Sequence, residues 1–69
     1  MKRRQVLKKL RNEAKRLGHP YGEVELTNHT GISIGRVRST LGRHAEIDDV
    51  TVRKFWSQFD EVLGKGWWR

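Results

Sequence analysis

Tyr21-Gly22-Glu23-Val24-Glu25-Leu26-Thr27-Asn28-His29-Thr30-Gly31-Ile32-Ser33-Ile34-Gly35-Arg36-Val37-Arg38-Ser39-Thr40-Leu41 is the segment whose pattern separates a sheet from a pair of helices. Seven β-branched residues fall in it: Val24, Thr27, Thr30, Ile32, Ile34, Val37 and Thr40. Its apolar residues recur with period two in three short runs. Val24 and Leu26 alternate with Glu23, Glu25 and Thr27. Thr30, Ile32 and Ile34 alternate with His29, Gly31 and Ser33. Val37 and Leu41 alternate with Arg36, Arg38 and Thr40. That pattern predicts three strands sharing one covered face. Gly35-Arg36 suits the second turn, and Thr27-Asn28 lies near the first.

On either side the period changes to that of a helix. Val6, Leu7, Leu10, Ala14 and Leu17 form one stripe, which predicts a helix over 2–17 ended by Gly18 and Pro20. Val52, Phe55, Trp56, Phe59 and Leu63 form another, with Val62 beside them, which predicts a helix over 50–63. Asp48 and Asp49 precede it as candidate N-caps, and Gly64 follows as a stop. The expected fold is α+β: helix, three antiparallel strands, helix, with both helices on one face of the sheet and the other face open. Aromatic residues at helical spacing belong to a core rather than a base-stacking platform. Trp67 and Trp68 are expected to cover the edge of that core or to anchor an interface.

Sixty-nine residues suffice for one domain, 1–69, with a modest core. No cysteine is present, so neither a disulfide nor a thiolate metal site reinforces it, and the composition suits a reducing cytoplasm. No apolar run approaches the ~20 residues of a membrane span, and no apolar stretch follows the basic start as in a signal peptide. Three dispersed histidines give no metal-ligand spacing, and no glycine-rich nucleotide loop is found. Neither a metal nor another cofactor is expected.

The charge is one-sided. Residues 1–19 hold eight bases against Glu13, whereas residues 20–69 balance seven bases with seven acids. The whole net charge of +7 therefore sits on the first segment. Any single charge run is most often a solvated face. So complete an asymmetry instead favours an anionic partner, attracted through counterion release. Lys8, Lys9 and Arg11 are the candidate phosphate ligands there.

The strand pattern also brings chemistry together. If Ile34 opposes Val37 across a two-residue turn, His29, Ser33, Arg38 and Thr40 share the open face, with Gly31 leaving room beside the imidazole. Histidine exchanges protons near neutral pH. Arginine holds phosphate oxygens through paired hydrogen bonds. His29 is therefore the candidate catalytic residue for phosphodiester cleavage, and Arg36, Arg38 and Arg43 are candidate phosphate ligands. An exposed histidine on a polar sheet is the commoner meaning of such a residue taken alone. That plainer meaning suits His19, in a Gly-His-Pro turn, and His44, in a loop, better still.

Several segments together resemble the HicA family, the small toxins of HicA–HicB toxin–antitoxin systems. They are Lys2-Arg3-Arg4-Gln5-Val6-Leu7, Asn28-His29-Thr30, the alternating run to Leu41, Arg43-His44-Ala45-Glu46-Ile47, the aromatic helix, and Leu63-Gly64-Lys65-Gly66-Trp67-Trp68-Arg69. The resemblance spans nearly the full length. It implies a fold like the double-stranded-RNA-binding domain, ribosome-independent cleavage of mRNA, and neutralisation by a HicB-type antitoxin. It also places the family's catalytic histidine at His29. Thr27 stands where the family usually has glycine, and Gly42 where it often has proline.

The same stretch also fits a helix-turn-helix DNA-binding regulator. Pro20-Tyr21-Gly22 would then start the first helix and Gly31 would make the turn. Residues 34–42 would form the recognition segment, with Arg36 and Arg38 entering the major groove. Gly35, Ser39 and Thr40 are poor helix formers for that role, and Arg43 to Ile47 would go unused. An RNA-binding module without catalysis ranks third.

Overall fold

The computed structural model describes residues 1–69. It contains α1 (Arg3–Arg16), β1 (Tyr21–Glu25), β2 (His29–Ile34), β3 (Val37–Gly42), α2 (Asp49–Ser57) and α3 (Asp60–Leu63). The sheet is antiparallel in the order β1-β2-β3. This is the α+β layout that the alternation predicts. Residues 37–42 are a strand, so no recognition helix exists over 34–42.

Each element ends for a local reason. α1 closes in a Schellman arrangement: the Gly18 N–H donates to Lys15 O at 3.1 Å and the His19 N–H to Ala14 O at 2.8 Å. Gly18 takes the positive φ of 75° that this turn requires. The helix therefore stops at Arg16, and Leu17, expected on its apolar stripe, is exposed. Ile34 pairs with Val37 across Gly35-Arg36, and Gly35 has φ 58° at the first central position, as a type II′ turn demands. The first turn is closed by the Leu26 N–H donating to His29 O at 2.8 Å.

α2 is capped by Asp48, whose side chain accepts from the Thr51 N–H. The continuous helix expected over 50–63 is two helices. At Gln58 and Phe59 the backbone switches to i→i−3 bonds, Gln58 N–H to Phe55 O and Phe59 N–H to Trp56 O. The tighter winding leaves the stripe intact. Phe59 is wholly buried and meets Phe55 edge-to-face at 5.4 Å.

The core lies between the sheet and the helices. Val6, Leu7, Leu10 and Ala14 come from α1, Ile32, Ile34 and Leu41 from the strands, and Val52, Phe55, Trp56, Phe59 and Leu63 from the C-terminal half. α1 lies by β1 and α2 by β3. The Trp56 indole N–H donates to Val6 O and ties α2 to α1. Trp67 and Trp68 pack against this core, and the Trp67 indole N–H donates to Trp56 O at 3.0 Å.

β1 departs from expectation. Val24 on the strand and Leu26 just after it are exposed, by 63% and 46%, and lie on the open side of the sheet. The register sets this: Glu23 pairs with Ile32 and Glu25 with Thr30, so both acids share the helix-covered side with buried residues. Partners sit there to receive them. The Tyr21 hydroxyl donates to Glu23 at 2.7 Å, and the Thr30 hydroxyl donates to Glu25 at 2.8 Å. No helix is long and apolar enough to cross a membrane.

Candidate functional site

His29 begins the central strand and is exposed on the open face. α1 runs antiparallel to β1, so its first turn lies at the same end of the sheet. There Arg3 donates to the carbonyl of Gly42 at 3.1 Å and to the hydroxyl of Thr30. Thr30 is fully buried, and its hydroxyl is satisfied twice, accepting from Arg3 and donating to Glu25.

Arg43 completes this frame. Its guanidinium donates to the carbonyls of Leu26, Thr27 and His29, and it pairs with Glu25 at 2.9 Å. A side chain expected to hold phosphate is thus the clamp of the β1–β2 turn, and it fixes the backbone of His29 itself. Arginine suits the task because its fork presents five donors in one plane.

The other candidates disperse. Arg38 is exposed on the open face, as expected, but its cross-strand partner is Ser33, four residues along β2 from His29. That spacing is about 13 Å along the strand, several times the width of a phosphate. Arg36 lies at the opposite end of the hairpin, paired with Glu61 at 2.9 Å. Lys8 and Arg11 are exposed on α1 and line one depression with Arg3, Arg4 and Glu23. Lys9 donates to Trp68 O at 3.0 Å and sits 5.0 Å from the Trp56 ring centre, so it also secures the tail. Because α1 covers one side of the sheet, its bases lie on the side opposite His29. The two surfaces meet only at the end held by Arg3.

The space beside His29 also differs from expectation. Above Gly31 lies the Leu26 side chain, whose Cδ1 would be 3.6 Å from an added Cβ. Above Gly42 lies the ring of His44. Further along the open face, Val24, Leu26, Gly31, Ser33, Arg38 and Thr40 line a shallow groove of about 540 Å³. It mixes apolar walls with hydroxyls and one guanidinium. No group of histidine and acidic side chains is placed to hold a metal ion.

Sequence reasoning missed Arg3 and Glu25 as site-builders. Arg3 was hidden within a basic run, and Glu25 required a register that sequence leaves open. Compared with known proteins, the chain matches no family model, no curated protein and no solved structure.

Proposed function

We propose that this protein is a HicA-type toxin, an endoribonuclease that cuts mRNA without the ribosome and is neutralised in the cytoplasm by a HicB-type antitoxin. One observation carries the proposal: an exposed histidine at the start of the central strand, on a turn fixed by Arg43, at the end of the sheet reached by a helix bearing a +7 segment. The family resemblance supplies the rest.

In this mechanism His29 exchanges a proton as a ribose 2′-hydroxyl attacks the adjacent phosphorus. The bond from phosphorus to the 5′-oxygen breaks, leaving a 2′,3′-cyclic phosphate and a 5′-hydroxyl. RNA lies along α1 and bends over the Arg3 end to reach His29. Arg38 meets a neighbouring phosphate of the same strand, its distance from His29 being too great for the scissile one. Only RNA carries the attacking hydroxyl, so DNA is bound and left whole.

The test is cleavage of a single-stranded RNA by the parent and by His29→Ala. Proton transfer by a placed side chain is worth ~10²–10⁴-fold in rate. The variant is expected to lose that factor while keeping its denaturation midpoint and its RNA affinity. Cleavage at the parental rate by His29→Ala removes His29 from the mechanism.

A further inference from the structure

We infer that His44 is the second proton-transfer group of this site, an imidazole seated over Gly42 and facing His29 across one phosphate. The inference rests on the ribonuclease function proposed above. Gly42 is the cross-strand partner of His29, so a Cβ on Gly42 would project from the same side of the sheet as the His29 side chain. That Cβ would lie 3.3 Å from His44 Cδ2 and 3.9 Å from His44 Nε2. The imidazole therefore occupies the place of the missing side chain. Directly opposed Cβ positions in an antiparallel pair are ~4.5–5.5 Å apart. Two exposed imidazoles thus flank one spot at the end of the open face.

His44 is held there on both sides. Arg43, before it, is fastened to the β1–β2 turn. After it, Ala45 O accepts from the Arg3 N–H at 2.9 Å, and the Ile47 N–H donates to Met1 O at 2.9 Å. Ile47 is itself part of the core. The loop is a short bridge to the start of the chain, Lys2 opposite Glu46, which fixes where His44 leaves the backbone.

The chemistry has work for two groups. In an in-line displacement the attacking and leaving oxygens lie on opposite sides of phosphorus. The 2′-oxygen bonds to phosphorus as its proton passes to a neutral imidazole. The bond to the 5′-oxygen breaks as that oxygen takes a proton from an imidazolium on the far side. No electrons are gained or lost overall, and the two rings end with their protonation exchanged. One histidine on one side of the phosphate serves one of these transfers; a facing pair serves both.

A sulfur leaving group separates the two roles. RNA in which sulfur replaces the bridging 5′-oxygen departs without needing a proton. On ordinary RNA, His29→Ala and His44→Ala are each expected to be slower than the parent by ~10²–10⁴-fold. On the sulfur-bridged RNA, one of the two variants should regain the parental rate and the other should not. Gly42→Val puts a branched side chain where the His44 ring sits and so displaces it, while leaving both histidines in the sequence, and suits a strand. It should slow ordinary cleavage by about 10²-fold, as misplacement of a reacting group does, with its denaturation midpoint kept. If the parent and His44→Ala cut ordinary RNA equally fast, His44 has no part in the reaction. Recovery on the sulfur substrate by both variants or by neither also overturns the pairing. A parent that cuts neither substrate removes the ribonuclease function itself, an outcome distinct from the others.

Discussion

Arg43 illustrates how one side chain acquires a structural duty. Its ion pair with Glu25 is exposed, and such pairs contribute ~0–1 kcal/mol. Its bonds to three turn carbonyls do more, because each is assisted by the guanidinium charge. Arg43→Lys keeps the charge and loses the fork. The expected result is a lower denaturation midpoint and faster hydrogen exchange at the Leu26 amide, which closes the turn. A lysine that restored both would instead fit a simple phosphate ligand. Leu26 and Val24 show the other side of residue-level reasoning. Their alternation is real, yet the turn at 26–29 puts them on the uncovered face.

At the scale of elements, α2 depends on its first turn. The Asp48 carboxylate accepts from the Thr51 hydroxyl at 2.7 Å and from the Thr51 N–H at 3.1 Å. These bonds, the hydroxyl's first, hold its pKa below the usual aspartate value. A lowered folded pKa means that stability is present above the unfolded value, ~3.9, and is lost as pH falls through the folded one. Asp48→Asn retains a capping oxygen but does not titrate. The parent should therefore be the more stable above pH ~5, and the gap should close as pH falls below the aspartate range. Denaturation midpoints of the two proteins across that range check it. The apolar stripe of α2 and α3 has a larger stake. Phe55 is 3% exposed and Phe59 wholly buried, so Phe55→Ala should cost ~3–5 kcal/mol. A small domain has only ~5–15 kcal/mol in all. An unchanged midpoint would show that the stripe is not the core.

For the whole molecule, charge and tertiary position act together. Replacing Lys8 or Arg11 by glutamine should flatten the slope of log affinity for single-stranded RNA against log salt by ~0.7 for each phosphate that is no longer neutralised. Lys9→Gln should change that slope less and lower thermal stability more, because Lys9 ties the tail at Trp68 and α2 at Trp56 to α1. Equal slopes for all three variants and the parent would place the RNA elsewhere. The single tyrosine reports on global folding in alkali. Burial pushes the Tyr21 phenol up, and the hydrogen bond to Glu23 and its charge push further, against Arg11 and Arg3. A raised folded pKa means that this contribution is full below the unfolded value of ~10 and fades as pH rises above it. Phenolate absorbance should therefore stay low past the ordinary tyrosine range and rise together with unfolding. A rise in the ordinary range, with the far-ultraviolet spectrum unchanged, would show that Tyr21 is free.

Local sequence pattern carried the order helix, three strands, helical C-terminal half, together with the β2–β3 hairpin and most of the core, though not Leu17, Val24 and Leu26, which are exposed, nor Ile47, which is buried. What it carried follows from local periodicity: Ile32, Ile34, Val37 and Leu41 repeat every second residue, while Val6, Leu10, Phe55 and Phe59 repeat every turn of helix. It also placed His29 and Arg38 on one open face, because a two-residue turn fixes register. Which way β1 faces came only with tertiary pairing, since Glu25 finds Thr30 and Arg43 on the covered side. Tertiary structure likewise separated Arg36 from His29, turned Arg43 into a clamp, and seated His44 over Gly42. Apart from His44 over Gly42, whose loop is held by the start of the chain, these are contacts between residues distant in the chain or on different strands. No local periodicity encodes them; they exist only once the sheet is paired and the first turn of α1 is docked against its end.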